Sequence, residues 1–307
     1  MDSKNKISQV TAVGSAALDT IQTPCGRVEE TLGGSVFYIG AVAGLFAPTH
    51  IVAVVGDDFN LNRIDFLKNR NVNLDGLEVA PGRTFRWEGF YPENMNQRDT
   101  RSVELGVFEG FNPQLPLAAA EAEFLLLANI DPTLQLNVLN QAQNPRLVAF
   151  DTMNHWIRDC RQDVLDIMSK VDLVFLNDEE AYLLTGRSNP LQGAHDLLKT
   201  GPQYIVIKKG EHGAILVGRG MPPFLCPAYP VEQAVDPTGA GDTFAGAMIG
   251  YLAHTGDLGA FNMRRAVVYG TVAASFTVEG FGLERLENIV LEQLHQRSRE
   301  FQAMVEF

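Results

Sequence analysis

The sequence predicts an α/β protein: a three-layer, doubly wound, mostly parallel sheet with a small β-sheet flap. Two observations carry this reading. Short runs rich in Val, Ile, Leu and Phe alternate with helical patterns through most of the chain, as in a parallel sheet joined by right-handed crossovers. Two stretches, 20–31 and 83–107, break the alternation and read as strands joined by turns.

Strands are predicted at Val10–Ala17, His50–Val55, Phe124–Ile130, Leu147–Asp151, Leu173–Asn177, Tyr204–Lys208 and Ala214–Val217. Each is an apolar run rich in residues that suit a pleated, buried surface. Helices are predicted at Val36–Phe46, Leu61–Arg70, Leu134–Gln141, Arg161–Ser169, Glu179–Leu184 and Ala194–Lys199. The first of these carries Gly40, Ala41, Ala43 and Gly44, small residues that let a helix pack close to a sheet. After Asp242 the pattern is helical to the end, with Arg264–Val278 and Leu286–Met304 as the last long pieces. In the flap, Thr84–Tyr91 and Thr100–Val107 flank the polar turn Pro92-Glu93-Asn94. A substrate lid and an ordinary surface hairpin both fit that pattern. No repeat, low-complexity tract or Pro/Ser-rich linker interrupts the 307 residues, so one domain is expected over 1–307, with the flap inserted from two segments.

Composition narrows the function. Apolar residues make up 46% and charged residues 20%, which gives a soluble chain enough material for a sizeable core. A net charge of −13 argues against nucleic-acid binding, which needs a basic face. Cys25, Cys160 and Cys226 lie far apart and form no pairwise framework, which fits free thiols in a reducing cytoplasm. The polar start Met1–Lys6 leads into no long apolar segment, so no signal peptide is expected. No apolar stretch reaches the roughly 18–20 residues of a membrane span.

The most informative segment is Asp236-Pro237-Thr238-Gly239-Ala240-Gly241-Asp242-Thr243-Phe244. Pro237 stiffens its entry and lacks an N–H. Gly239, Ala240 and Gly241 carry almost no side chain, so their N–H groups can face an anion. The apolar run from Phe244 to Ala253 then reads as a buried helix, whose N-terminus is a ready anion site. Asp242 sits in its first turn, where a carboxylate suits a general base for an attacking hydroxyl. The alternative is a capped helix start, with Asp236 or Thr238 as cap. It leaves unexplained two glycines around Ala240 followed at once by an acid.

Other candidate residues fall at the carboxyl ends of predicted strands, where open α/β sheets bind ligands. Asp19 follows the first strand and can accept hydrogen bonds from two neighbouring hydroxyls, or stand as a solvated loop acid. Gly33-Gly34-Ser35 opens the small-residue helix and lets backbone approach a ligand, or simply makes a tight turn. Asn177 and Glu180 lie three residues apart on one helical face. Oxygen donors there suit Mg²⁺, and the same spacing suits a capping box. Lys208 ends a strand before Gly210 and Gly213; its cation would reach phosphate oxygens or snorkel to solvent. Asp151-Thr152-Met153-Asn154 follows another strand as a phosphate or substrate wall. There is no P-loop, no Gly-x-Gly-x-x-Gly after the first strand, no Gly-x-Ser-x-Gly elbow and no paired-histidine zinc motif.

Four of these motifs, in this order, resemble the ribokinase-like (phosphofructokinase-B type) carbohydrate kinase family: Gly33-Gly34-Ser35, Asn177-Asp178-Glu179-Glu180, Lys208-Lys209-Gly210-Glu211-His212-Gly213-Ala214, and Asp236–Phe244. The resemblance covers nearly the whole chain. It implies a ribokinase-like fold, with the flap as a lid over the sugar site. It implies ATP and Mg²⁺ as cofactors, with a monovalent cation as a further candidate, and a homodimer paired through the lids. By the same resemblance, Asp19, Gly33, Gly34, Tyr38 and Asn129 would contact the substrate. Lys208, Gly210, Gly213 and Asp236 would line ATP, and Asn177 and Glu180 the metal. Asp242 would be the base, with Gly239, Ala240 and Gly241 as the anion hole. Where the family commonly has an asparagine, this chain has Tyr38, so sugar recognition there departs from the pattern. Phe37-Tyr38 and Phe85–Tyr91 offer aromatic faces for a nucleobase or a sugar or inositol ring, and Arg86, Arg98 and Arg101 offer charge for a phosphorylated sugar. The expected activity is a kinase for a small polyhydroxylated substrate. A nucleoside or inositol kinase and a non-catalytic metabolite-binding protein of the same fold are the alternatives.

Overall fold

The computed structural model describes residues 7–306, so Met1–Lys6 and Phe307 lie outside it. Strands are β1 (Val10–Val13), β2 (Ala17–Thr23), β3 (Gly26–Gly33), β4 (Thr49–Gly56), β5 (Val72–Ala80), β6 (Phe85–Phe90) and β7 (Asp99–Glu104). The second half adds β8 (Phe124–Leu127), β9 (Leu147–Asp151), β10 (Leu173–Asn177), β11 (Tyr204–Lys208), β12 (Ala214–Gly218) and β13 (Phe224–Cys226). Helices are α1 (Ser35–Phe46), α2 (Asp65–Lys68), α3 (Leu117–Ala120), α4 (Pro132–Gln141), α5 (Asn154–Asp159) and α6 (Arg161–Met168). They continue with α7 (Asp178–Thr185), α8 (Pro190–Leu198), α9 (Ala240–Thr255), α10 (Ala260–Thr277) and α11 (Leu291–Val305).

The large sheet runs β13-β12-β11-β10-β9-β8-β1-β4-β5. All its pairings from β11 to β5 are parallel, and only β12 and β13 are antiparallel. Its central strands are buried on both faces, as the continuous apolar runs require. One face packs against α1, α9 and α10; the other packs against α4, α6, α7 and α8. The three expected layers are therefore present. From β1 the chain winds outward to β4 and β5, then returns to β8 and winds the other way. That reversal opens a crevice at the carboxyl ends of β1 and β8.

Helix α9 lies nearly buried all round, with Thr243 to Ala253 shielded from solvent. Its glycines explain how. A Cβ on Gly246 or Gly250 would come within 2.8 Å of the α1 backbone at Ile39 or Ala43. Two small-residue helices thus pack close, and Thr277 of α10 donates to Thr243 at 2.8 Å to fix the third. This packing holds the N-terminus of α9 against the sheet edge.

The small sheet runs β3-β2-β6-β7. It contains both stretches that broke the alternation. Some expectations need correction. The predicted strand Val10–Ala17 divides at Gly14-Ser15, and Ala17 pairs with Phe85 and Gly33 in the small sheet. A Cβ at Gly14 would overlap the Ser35 hydroxyl, so the chain turns there beneath α1. Leu61–Arg70 is a short 3-10 turn followed by one turn of helix. Val72–Ala80, read as no element, is a strand of the large sheet; its half-exposed edge position dilutes the apolar pattern.

Candidate active site

Asp151, Asn177 and Lys208 end three neighbouring parallel strands, β9, β10 and β11. Register pairs Lys208 with Asn177 and Asp151 with Phe175, so these side chains share the face that meets α9. Lys208 reaches across the Phe175 ring (5.9 Å) and donates to Asp151 Oδ2 at 2.9 Å. Its ammonium also fills the space beside Gly241, where a Cβ would lie 3.1 Å from Nζ. The strand-end cation and the glycine helix start therefore meet.

Gly239 caps α9 at φ 74, a conformation that favours glycine. The Ala240 N–H is spent on the Pro237 carbonyl at 3.2 Å, while the N–H groups of Gly239 and Gly241 make no backbone hydrogen bond among the described residues. Those two are the open donors of the expected trio. Asp242 follows in the first turn, and burial raises its carboxyl from 3.8 to about 7. The Asp151 charge adds to that rise, and Lys208 and Arg98 oppose it.

Asp19 of β2 is buried, and its carboxyl is raised to about 8, first by burial and then by Asp236 and Asp242. The Gly34 N–H pulls that value down, and the Asp19 carboxylate lies directly over Gly33, where a Cβ would overlap it. Tyr38, one turn into α1, packs its ring against Gly239, and its hydroxyl is buried with no partner. Asp19, Gly33, Gly34 and Tyr38 thus share one wall with Gly239 and Asp242. Asn129 stands apart from them. It accepts Trp156 Nε1 at 3.0 Å and donates to Met153 Sδ at 3.2 Å, so it braces the turn after β9.

Asp236 is fully buried and spends its oxygens on the Thr238 N–H (2.8 Å) and the Gly282 N–H (3.0 Å). It shapes the turn leading to Gly239. Gly210 and Gly213 bracket the turn between β11 and β12, with φ of 53 and 84. Asn177 and Glu180 form the complete capping box. Glu180 N–H donates to Asn177 Oδ1, and Asn177 N–H donates to Glu180 Oε2, both at 2.7 Å. Burial raises Glu180 to about 8, with Lys208 pulling it down and Asp151 pushing it up. No group of three or more His, Cys, Asp or Glu among the described residues can hold a metal ion. The donor set fits Mg²⁺ held mainly by phosphates and water, with Glu180 supplying a carboxylate, because Mg²⁺ takes few protein ligands.

The flap reaches this site through the loop between β6 and β7. Tyr91 is buried, and its hydroxyl accepts from Thr238 at 3.0 Å. Asn96 donates to Glu211 at 3.0 Å, beside Gly210. Arg98 stacks over Trp87 at 5.4 Å, and its charge lowers the carboxyls of Asp19, Glu180 and Asp242. Arg86 is committed elsewhere, to Asp58 (2.8 Å) and Glu30 (2.9 Å), and Arg101 lies over Phe90. Of the three flap arginines, Arg98 is the one whose charge acts on these carboxyls. The polar turn 92–97 followed by Arg98 was the one local signal for this.

The chain matches the pfkB family carbohydrate kinase profile over residues 9–288. It is 30% identical over 243 residues to the cytidine kinase of Thermococcus kodakarensis, which is 77% of this chain and 86% of that protein. A crystal structure of the Methanocaldococcus jannaschii nucleoside kinase superposes with a TM-score of 0.76 at 22% identity, covering 96% of this chain and 99% of that one. A putative ribokinase II from E. coli, solved with ATP and Mg²⁺, superposes with a TM-score of 0.76 at 18% identity over 95% and 99% of the two chains. No described helix is long and apolar enough to cross a membrane. With the profile spanning all four motifs from Gly33 to Phe244, this chain belongs to the pfkB family of carbohydrate kinases, phosphotransferases that act on a sugar or nucleoside hydroxyl.

Proposed function

We propose that the protein transfers the γ-phosphate of ATP to a hydroxyl of a small sugar or sugar derivative, with Asp242 as general base. The observation that carries this is the position of Asp242: buried, raised to about 7, and in the same helical turn as the open Gly241 N–H. A base with that affinity for protons is half ionised near neutral pH and can still hold the proton it takes. The acceptor lies against Asp19, Gly33, Gly34 and Tyr38, with Asn129 bracing the far wall. Asp242 removes the acceptor O–H proton as that oxygen bonds to the γ-phosphorus. The bond from phosphorus to the β-bridging oxygen breaks, and ADP leaves. The Gly239 and Gly241 N–H groups and the Lys208 ammonium hold the charge on the moving phosphoryl group; Ala240 closes the turn that aims them. The nucleotide extends toward Gly210 and Gly213, over a floor that Asp236 shapes.

Glu180 and Asn177 lie at the metal end of this arrangement. Bound Mg²⁺ supplies charge neutralisation of the β- and γ-phosphates. A nucleoside is the second reading for the acceptor. It is favoured by the 30% identity to a cytidine kinase. A homodimer through the lids is also proposed, because β7 is an edge strand exposed along its whole length, with Val103 51% exposed. The protein acts in a reducing cytoplasm, consistent with its three unpaired cysteines.

Initial rates with ATP and Mg²⁺ against panels of sugars, nucleosides and inositols, with K⁺ and Na⁺ varied, test the activity and identify the acceptor. Phosphorylation of none of them at any cation composition would overturn the reading. Sedimentation at micromolar concentration tests the dimer.

A further inference from the structure

The proposed transfer site contains a buried cation that helix electrostatics alone would not favour. The first turn of α9 already carries the positive end of the helix dipole, so an ammonium beside Gly241 adds like charge to like. Lys208 is held there by its 2.9 Å bond to Asp151 Oδ2, and both side chains are shielded, 18% and 7% exposed. Asp151 keeps its other oxygen on the Thr152 N–H at 3.0 Å, so its carboxylate is fixed in direction. In the same turn the Thr152 hydroxyl and Asn154 Oδ1 are buried without partners. Polar atoms left open beside a buried ion pair point to a ligand of matching polarity.

We propose that Asp151 is a positioning residue of the transfer site: it holds the Lys208 ammonium against the first turn of α9, so that the phosphate meets a fixed positive charge there. This rests on the reading of Asp242 as the base. The alternative for Asp151, that it only closes the edge of β9, would leave the catalytic groups indifferent to its charge. Instead, the ammonium that Asp151 holds lies beside Gly241, the residue next to Asp242. Facing Asp242 are Asp151 from β9, Lys208 from β11 and Arg98 from the lid loop; Asp19 from β2 and Tyr38 from α1 complete its charged and titratable surroundings. Asp151 and Lys208 act on it with opposite sign.

The test is the pH dependence of kcat for Asp151→Asn, Lys208→Met and Lys208→Arg in the full chain, compared with wild type at one ATP and Mg²⁺ concentration. Titration of ATP itself is common to all four. Without the Asp151 charge, Asp242 ionises more readily, and the acidic limb of the profile moves to lower pH. Without the Lys208 charge, it moves to higher pH. Each loss also lowers kcat by roughly 10²-fold, as for a removed oxyanion donor. Lys208→Arg keeps the charge, leaves the limb in place and recovers part of the rate. Equal or absent shifts in Asp151→Asn and Lys208→Met, with only rate or melting temperature reduced, would overturn the positioning role. Should Asp151→Asn not fold, the Lys208 pair decides: a limb common to Met and Arg overturns the proposal. Failure of the underlying reading shows separately, as an Asp242→Asn enzyme with near wild-type rate, and would overturn both.

Discussion

The ring of Tyr38 lies flat against the backbone of Gly239, so that a Cβ added at Gly239 would overlap it. One contact thus joins the first helix of the substrate wall to the start of the anion-binding helix. Gly239 also holds φ at 74, where an L-residue costs about 1–2 kcal/mol. Gly239→Ala is therefore expected to shift the turn and lower kcat by roughly 10²-fold, with a modest loss of melting temperature. Tyr38→Phe keeps the ring in place and removes a buried hydroxyl that has no partner. It should raise the melting temperature of the free protein and weaken acceptor binding. A Gly239→Ala enzyme with normal kcat would show that the turn has room to move.

Asp242→Asn should lower kcat by roughly 10²–10⁴-fold while nucleotide binding survives. The same change has a signed effect on stability. Burial raises Asp19 to about 8 and Asp242 to about 7, from an ordinary 3.8. The folded protein thus binds protons that the unfolded chain releases above about pH 4, so stability falls as pH rises from there through about 8. Melting temperature should be higher near pH 6 than near pH 8.5 for the free wild-type protein. Asp242→Asn should narrow that gap by gaining stability at the alkaline end. A catalytically dead variant with an unchanged gap would mean that Asp242 is not buried as described.

The glycine turn, the helix start and the acid in its first turn were legible in the sequence because nine consecutive residues encode them. The Lys208–Asp151 pair was not. It spans 57 residues and depends on two strands being separated by a third, a fact of sheet order that no local pattern carries. Likewise Tyr91 meets Thr238 across 147 residues. The strands of the small sheet were found because their turns break the strand–helix alternation. The point where β1 gives way to β2 was missed because apolar character continues across Gly14-Ser15 while the chain changes sheets. Asn177 and Glu180 were legible as a pair, and the capping half of their dual reading is what the free structure displays.

That capping box makes Glu180→Gln a clean probe of the metal. Glutamine serves the N3 position of a capping box as well as glutamate does, so the helix start is retained. Removing a buried carboxyl raised to about 8 should leave stability equal or higher at neutral pH. The Mg²⁺ concentration for half-maximal rate should rise by roughly tenfold, the scale of a lost supporting ligand. Unchanged Mg²⁺ dependence would confine Asn177 and Glu180 to capping.

The flap loop is tied to the rest of the molecule at two points, Tyr91 to Thr238 before α9 at 3.0 Å and Asn96 to Glu211 in the turn after β11 at 3.0 Å. The first lies at the entry to the anion hole and the second beside the Gly210 turn, so one loop bridges the expected acceptor and nucleotide ends. Each hydrogen bond contributes about 0.5–1.5 kcal/mol, which is roughly a two- to tenfold change in the equilibrium between docked and undocked lid. Tyr91→Phe with Asn96→Ala removes both bonds and leaves the buried Tyr91 ring in place. A lid that serves the acceptor should then show a raised KM for acceptor, with kcat reduced less. Loosening the loop also frees Arg98, whose charge opposes the raised carboxyls of Asp19 and Asp242. The acidic limb of the pH profile should therefore move to higher pH in the double variant, and Arg98→Ala should reproduce that movement alone. Initial-rate kinetics across pH on the three proteins measure both effects. A double variant with wild-type acceptor KM and an unmoved limb would reduce the flap to a surface hairpin that happens to lie over the site.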